Sequence, residues 1–340
     1  MTRQRLDTTR AQVLAHRRAV GGLDERLPPG PDSLRRAAWA GLQDSMPRAA
    51  LLSIHARVEA TRASTWEDPA LVQVWGPRYS AYVVAARDVA PFTLGRLPAD
   101  EGGRRFAQET ADALDAILDG RRMSYGEAGH TLGVRPNRLR YAAPTGRVRL
   151  RWDGARQPIV WTVPAPDDDP ADARLELARR YLHVFGPTTA SAFAEWAGIA
   201  PAVGRSTFEA LGGSLAPART PIGDAWILAS DEASFRAPPG PVADARLLPS
   251  GDAFLLLQGA HRELLVPDAD RRSELWPSRV WPGGVLVRGE LAGTWRRADS
   301  ALTIQPWRPF SPEERDAVQS EAEGLPLPGV QGRLRVRWAE

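Results

Sequence analysis

The chain has 340 residues, 43% of them hydrophobic and 25% charged, with no cysteine and a formal charge of only +3. This is ordinary globular material of multi-domain length, and it excludes disulfides, thiolate metal sites and cysteine nucleophiles. All 44 Lys+Arg residues are arginine, which excludes a P-loop lysine and a lysine Schiff base but suits bidentate phosphate contact. No apolar run is long enough to span a membrane and the N-terminus has no signal-peptide core, so a cytoplasmic protein without a membrane partner is expected.

Helices are predicted over residues 7–21, capped by Asp7 or Thr8, over 33–42, and over 47–59 behind Asp44, Ser45 and Pro47. LVQVW (71–75) and SAYVV (80–84) flank Gly76-Pro77 and read as a hairpin. Three helices and a hairpin are the outline of a winged helix-turn-helix. The outline returns with a helix at 104–119, short helices at 124–133 and 135–142, and strands at 147–152 and 157–163 around Asp153-Gly154. After the Pro-rich stretch 164–170 it returns again, with helices at 170–185, from Thr188 or Thr189 to Trp196, and at 201–212, and a hairpin over 214–230. Beyond Pro238–Pro241 the texture changes. ARLLPSGDAFLLL, RELLV, RVW, VLVRGELAGTW, LTIQPW and LRVRW read as short strands, with one helix from Pro312 to Gly324. The expected fold class is α+β. Tandem winged helix-turn-helix domains at 1–100, 101–166 and 167–237 precede a mostly-β, barrel-like domain at 238–340.

Four stretches carry a family resemblance: GLQDSMPRAALLSIHARVE (41–59), LVQVWGPRYSAYVV (71–84), RLLPSGDAFLLL (246–257) and VLVRGELAGTWRR (285–297). In this order they resemble the AlkZ/YcaQ-like winged-helix DNA-binding family, which includes bacterial DNA glycosylases. The resemblance implies tandem winged helices, a C-terminal β-barrel and action on alkylated, bulky or crosslinked purines in DNA repair. Relatives share a Gln-aliphatic-Gln or Gln-aliphatic-Asp motif. Here the position reads Gln43-Asp44-Ser45, so the family's catalytic assignment carries over to Gln43 alone. A strand that often reads Arg-Gly-Thr-Leu-His is Arg78-Tyr79-Ser80-Ala81-Tyr82.

Read chemically, Asp44 is a candidate to stabilise the positive charge that develops on a sugar as an N-glycosidic bond breaks, and Gln43 to hold the attacking water. The alternative is that Asp44 or Ser45 simply caps the next helix. Residues 121–156 hold nine arginines against Glu127 and Asp153, a local charge of +7. Among them Arg135, Arg138, Arg140, Arg147, Arg149 and Arg151, with Asn137, fall where a recognition helix and wing would meet double-stranded DNA. Arg147, Arg149 and Arg151 share one strand face. Arg78 and Tyr79, with Trp75, flank the first hairpin turn as candidates to contact a base. A solvated arginine-rich hairpin is the alternative. The five histidines are scattered, so no metal site is expected, and His55 is placed near the Gln43 turn. Trp152, Trp161, Trp226 and Trp295 read as core. No cofactor is expected, since hydrolysis needs only water. A non-catalytic DNA-binding protein, regulator or lesion-binding module, is the alternative function, and a winged-helix scaffold that no longer touches DNA is a third.

Overall fold

Polar caps decide where the helices begin. Thr9 and Gln12 form a capping box that starts the first helix, Arg10–Val20. The expected caps Asp7 and Thr8 lie outside it. Leu6–Asp7 is instead a short strand parallel to Leu215–Thr220, and Thr8 donates to the Arg219 carbonyl. Asp100, Ser124, Asp169 and Thr189 cap the helices Glu101–Leu118, Tyr125–Thr131, Pro170–Phe185 and Ala190–Ala197. The computed structural model describes residues 4–46, 48–154, 156–298, 300–327 and 334–339. Pro47, at the expected start of the third helix, lies outside the described residues, and that helix runs Ala49–His55. The second, Pro31–Ala37, ends early because Leu42 has entered a strand. Residues expected as a helix at 135–142 form a 3-10 segment, Pro136–Thr145, with Pro144 inside it; proline has no N–H for an α-helical ladder.

The hairpins of the first two units merge. Leu71–Trp75 and Ala81–Ala85 pair antiparallel, as do Val148–Arg151 and Ile159–Thr162. Gln73 faces Leu150 across the seam. With Leu42–Gln43 on one edge and Met123–Ser124 on the other, the result is a single six-stranded sheet. The third hairpin, Leu215–Thr220 with Gly223–Leu228, joins the N-terminal strand in a sheet of three. One core cluster draws Leu14, Val74, Tyr82, Tyr181, Trp196, Phe254 and Leu286 together, joining the first, third and fourth expected units, and a separate cluster packs Trp75 and Ala81 of the first against Leu114, Leu139 and Val160 of the second.

The C-terminal region is less strand-rich than its sequence suggests. Its five strands run Ala245–Leu248, Gly283–Val287, Glu290–Ala298, Ala301–Pro306 and Arg335–Trp338 in an open sheet. The first and last lie at opposite edges, so among the described residues no barrel closes. RELLV is part of a short helix, His261–Leu265, and residues 279–281 form no strand. Residues 253–257 are a buried run of tight turns, with Leu255 and Leu256 amides bonded three residues back. A run buried on every side has no period, so it mimics a strand in sequence.

Candidate functional site

Strand alternation sorts Gln43-Asp44-Ser45 into two faces. Gln43 pairs opposite Tyr82, and the Asp44 amide donates to the Ala81 carbonyl at 2.8 Å. Leu42 and Asp44 therefore point inward, each 1% exposed, while Gln43 and Ser45 are half-buried on the other face.

The Asp44 carboxylate is fully engaged. One oxygen accepts from the Ala50 amide at 3.0 Å and the other from Gln73 Nε2 at 2.7 Å. Gln73 in turn accepts from the Trp152 amide at 2.7 Å, so Asp44 ties the first turn of Ala49–His55 to the second hairpin. Burial pushes its carboxyl up to about 7, against the opposing pull of the Ala50 hydrogen bond, Arg48, Gln73 and Arg151. This is the helix-tethering arrangement that competed with catalysis in the sequence. Gln73 was missed there, because a lone glutamine in LVQVW gives no sign of partners 29 and 79 residues away.

Gln43 is arranged differently. Its Nε2 donates to Ser45 Oγ at 3.0 Å, and its Oε1 is buried with no protein partner. Gly251, at φ +77°, packs against it in a backbone conformation suited to glycine. That loop is anchored by Asp252, which accepts from Ser53 Oγ at 2.6 Å and from both Arg57 terminal nitrogens at 2.7 and 2.8 Å. Beside it opens a cleft of about 420 Å³ lined by Met46, Pro249, Ser250, Trp281, Trp295 and Arg296, among others. Met46 and Val280 leave apolar surface exposed there.

The arginine candidates divide by their partners. Val148 and Leu150 are buried and Arg147, Arg149 and Arg151 lie on the other face, as alternation requires. Arg147 is ion-paired with Asp112 and Asp115, Arg151 meets Glu67 at 3.5 Å, and Arg149 donates to the Gly146 and Val148 carbonyls. Arg140 donates to Tyr125 Oη, whose hydroxyl donates to Asn137. Arg135 and Arg138 are exposed, with no ion pair among the described residues. Arg78 and Tyr79 form the first hairpin turn, both half-buried.

Three aromatic or histidine expectations change. Trp75 is 2% exposed, packed in the core against Tyr125 rather than free to meet a base. Trp226, expected in the core, is exposed. His55 sits away from the Gln43 face, its carbonyl accepting from Arg26 beside Glu321. Among the described residues no cluster of three acidic or histidine side chains could hold a metal ion, and no helix is long and apolar enough to cross a membrane.

Comparison with known proteins places this geometry. The AlkZ-like family model, described as DNA glycosylase AlkZ-like, matches residues 36–326. Among solved structures, the Streptomyces sahachiroi DNA glycosylase AlkZ is similar with a TM-score of 0.78 at 20% identity. The match covers 98% of this chain and 100% of that one; at such identity the likeness is one of fold. Comparison with the curated proteins finds none that matches.

Proposed function

The chain belongs to the AlkZ-like DNA glycosylase family, and from that premise we propose that it binds duplex DNA and hydrolyses the N-glycosidic bond of alkylated, positively charged purines. Its three helix–hairpin units are read as winged helices that carry the phosphate contacts, with Arg78, Arg135, Arg138 and Arg140 foremost. The apolar cleft between Met46 and Trp281 gives room for a bulky substituent.

The observation that carries the reading is Gln43, whose buried Oε1 has no protein partner and whose amide is fixed by Ser45. A cationic purine departs with the electron pair of the glycosidic bond and becomes neutral, so it needs no protonation. Positive charge is left on the sugar. Gln43 Oε1 accepts a hydrogen bond from the water that attacks C1′, and that water then loses its proton to solvent. In the register of the family motif, Asp44 occupies the aliphatic, inward position. We therefore assign it a positioning role, holding the turn to the Ala49–His55 helix and to Trp152. With no lysine in the chain, no lysine imine forms and the product is an intact abasic site.

One observation favours a second reading, DNA binding without excision. The outer face offers Ser45 at the third motif position, with neither amide nor carboxylate. Release of free purine from alkylated duplex, with abasic sites counted before alkali, separates the two. Release above buffer supports excision, and none with any alkylated substrate leaves the binding reading.

A further inference from the structure

The turn of the first hairpin is strained in a way that its sequence does not require. Arg78 and Tyr79, neither of them glycine, both adopt left-handed backbone conformations, at φ 53° and 56°. L-residues avoid this region, and such conformations persist only where the surroundings over-determine them. Here they do. Gly198 abuts the turn so closely that a Cβ at that position would lie 3.0 Å from the Arg78 Cα and N. Buried Arg96 donates to the Trp75 and Ala197 carbonyls at 3.3 and 2.8 Å, and its guanidinium lies 4.8 Å from the centre of the Tyr79 ring.

The strain turns Tyr79 toward the second unit. Its ring meets Tyr141 near-perpendicularly at 5.0 Å, Tyr141 meets Phe106 at 5.7 Å, and Arg138 stacks over Phe106 at 4.8 Å. Three separate segments thus build one aromatic surface. Tyr141 remains 45% exposed at its centre. Arg138 lies at this surface and Arg140 donates to the Tyr79 carbonyl at 3.5 Å, while Arg78 adjoins Tyr79 and Arg135 begins the segment that carries Tyr141. Arg78, Arg135 and Arg138 have no ion pair among the described residues, so these segments carry unneutralised positive charge. Tyr79 is three residues before Tyr82, the partner of Gln43, so the Cα atoms of Tyr79 and Tyr82 are at most about 11 Å apart.

We infer that Tyr79, Tyr141 and Phe106 form a platform that stacks an unpaired nucleobase of DNA while Arg78, Arg135 and Arg138 hold its flanking phosphates. This rests on the DNA-binding reading above and adds to it a preference for DNA with an unstacked base. Arginine-ringed aromatic faces take bases without regard to sequence, because every base has a π-face. A paired duplex hides those faces inside its stack, so only an unpaired base can use the platform.

The test is a fluorescence titration of the full chain, at low salt, with two duplexes. One carries a single bulged 2-aminopurine and the other is fully paired. The wild type should bind the bulged duplex roughly ten-fold more tightly, within the range expected for one base on an aromatic surface, and should quench the 2-aminopurine. Tyr141→Ala should bring the two affinities to parity without loss of affinity for the paired duplex, while Tyr141→Phe keeps the preference. Trp226→Ala, an exposed aromatic on another unit, should change nothing. Equal affinity of the wild type for both duplexes, or a preference that survives Tyr141→Ala, overturns the platform and leaves DNA binding standing. Failure to bind either duplex overturns the DNA-binding reading and the platform with it.

Discussion

Which arginines meet DNA can be decided by the salt dependence of binding. The strand arginines Arg147 and Arg151 are matched by Asp112, Asp115 and Glu67. Any phosphate contact must first displace those carboxylates and gains little. Arg135 and Arg138, by contrast, stand on the 3-10 segment and at its start with no ion pair among the described residues, and Arg78 is placed likewise. With Arg140 they make four contacts in the proposed interface. At about −0.9 per phosphate, the log–log slope of affinity against salt should be about −3.6, a loss of roughly 150-fold between about 50 and 200 mM salt. Replacing Arg135 and Arg138 together by Ala should halve the slope to about −1.8. Replacing Arg147 and Arg151 together should leave it near the parent value. The assay is fluorescence anisotropy with a labelled duplex at four or more salt concentrations. If the strand pair flattens the slope and the 3-10 pair does not, the partner argument is refuted and the wing strand carries the phosphates.

Two further predictions concern the framework of the site. Burial holds the Asp44 carboxyl near 7 against an ordinary 3.8, so its contribution to stability is fully present below about pH 4 and is lost as pH rises through about 7. The stability of Asp44→Asn relative to the wild type should therefore improve across that window, by on the order of a few kcal/mol. Urea unfolding of both proteins from pH 4 to 8 measures it, and a constant difference would contradict the burial argument; buried His16 and half-buried His261, whose titration is displaced to about 4, contribute equally to both proteins. Asp252→Ala should cost about 3–5 kcal/mol, because it strands the Arg57 guanidinium in the core. Adding Arg57→Met should recover part of that loss in the same unfolding experiment, and a double variant as unstable as the single one would count against it.

The sequence disclosed what is local. The Leu71–Trp75 and Ala81–Ala85 hairpin shows its period and its Gly76-Pro77 turn, and Pro170–Phe185 shows both its proline start and its terminal glycine. The outward row Arg147, Arg149 and Arg151 was legible from alternation, but the acids that neutralise Arg147 lie on a separate helix and were not. Gln43 was legible as a candidate through its motif. Which of Gln43 and Asp44 faces out depends on the pairing with Tyr82, a partner 39 positions on. Gln73, the Asp252 anchor and the Tyr79–Tyr141–Phe106 surface each join segments far apart in the chain. Local pattern is silent about such long-range contacts.

The most direct test of the account is the single-turnover rate of free-base release from a methylated duplex, compared among the wild type, Gln43→Ala and Asp44→Asn. Loss of one positioned polar group in a site commonly costs about 10²–10³ in rate, so Gln43→Ala should fall by that factor with duplex affinity unchanged. Asp44→Asn, acting only through the fold, should lose far less. Release abolished by Asp44→Asn yet intact in Gln43→Ala would contradict the assignment of the outward face as the reacting one.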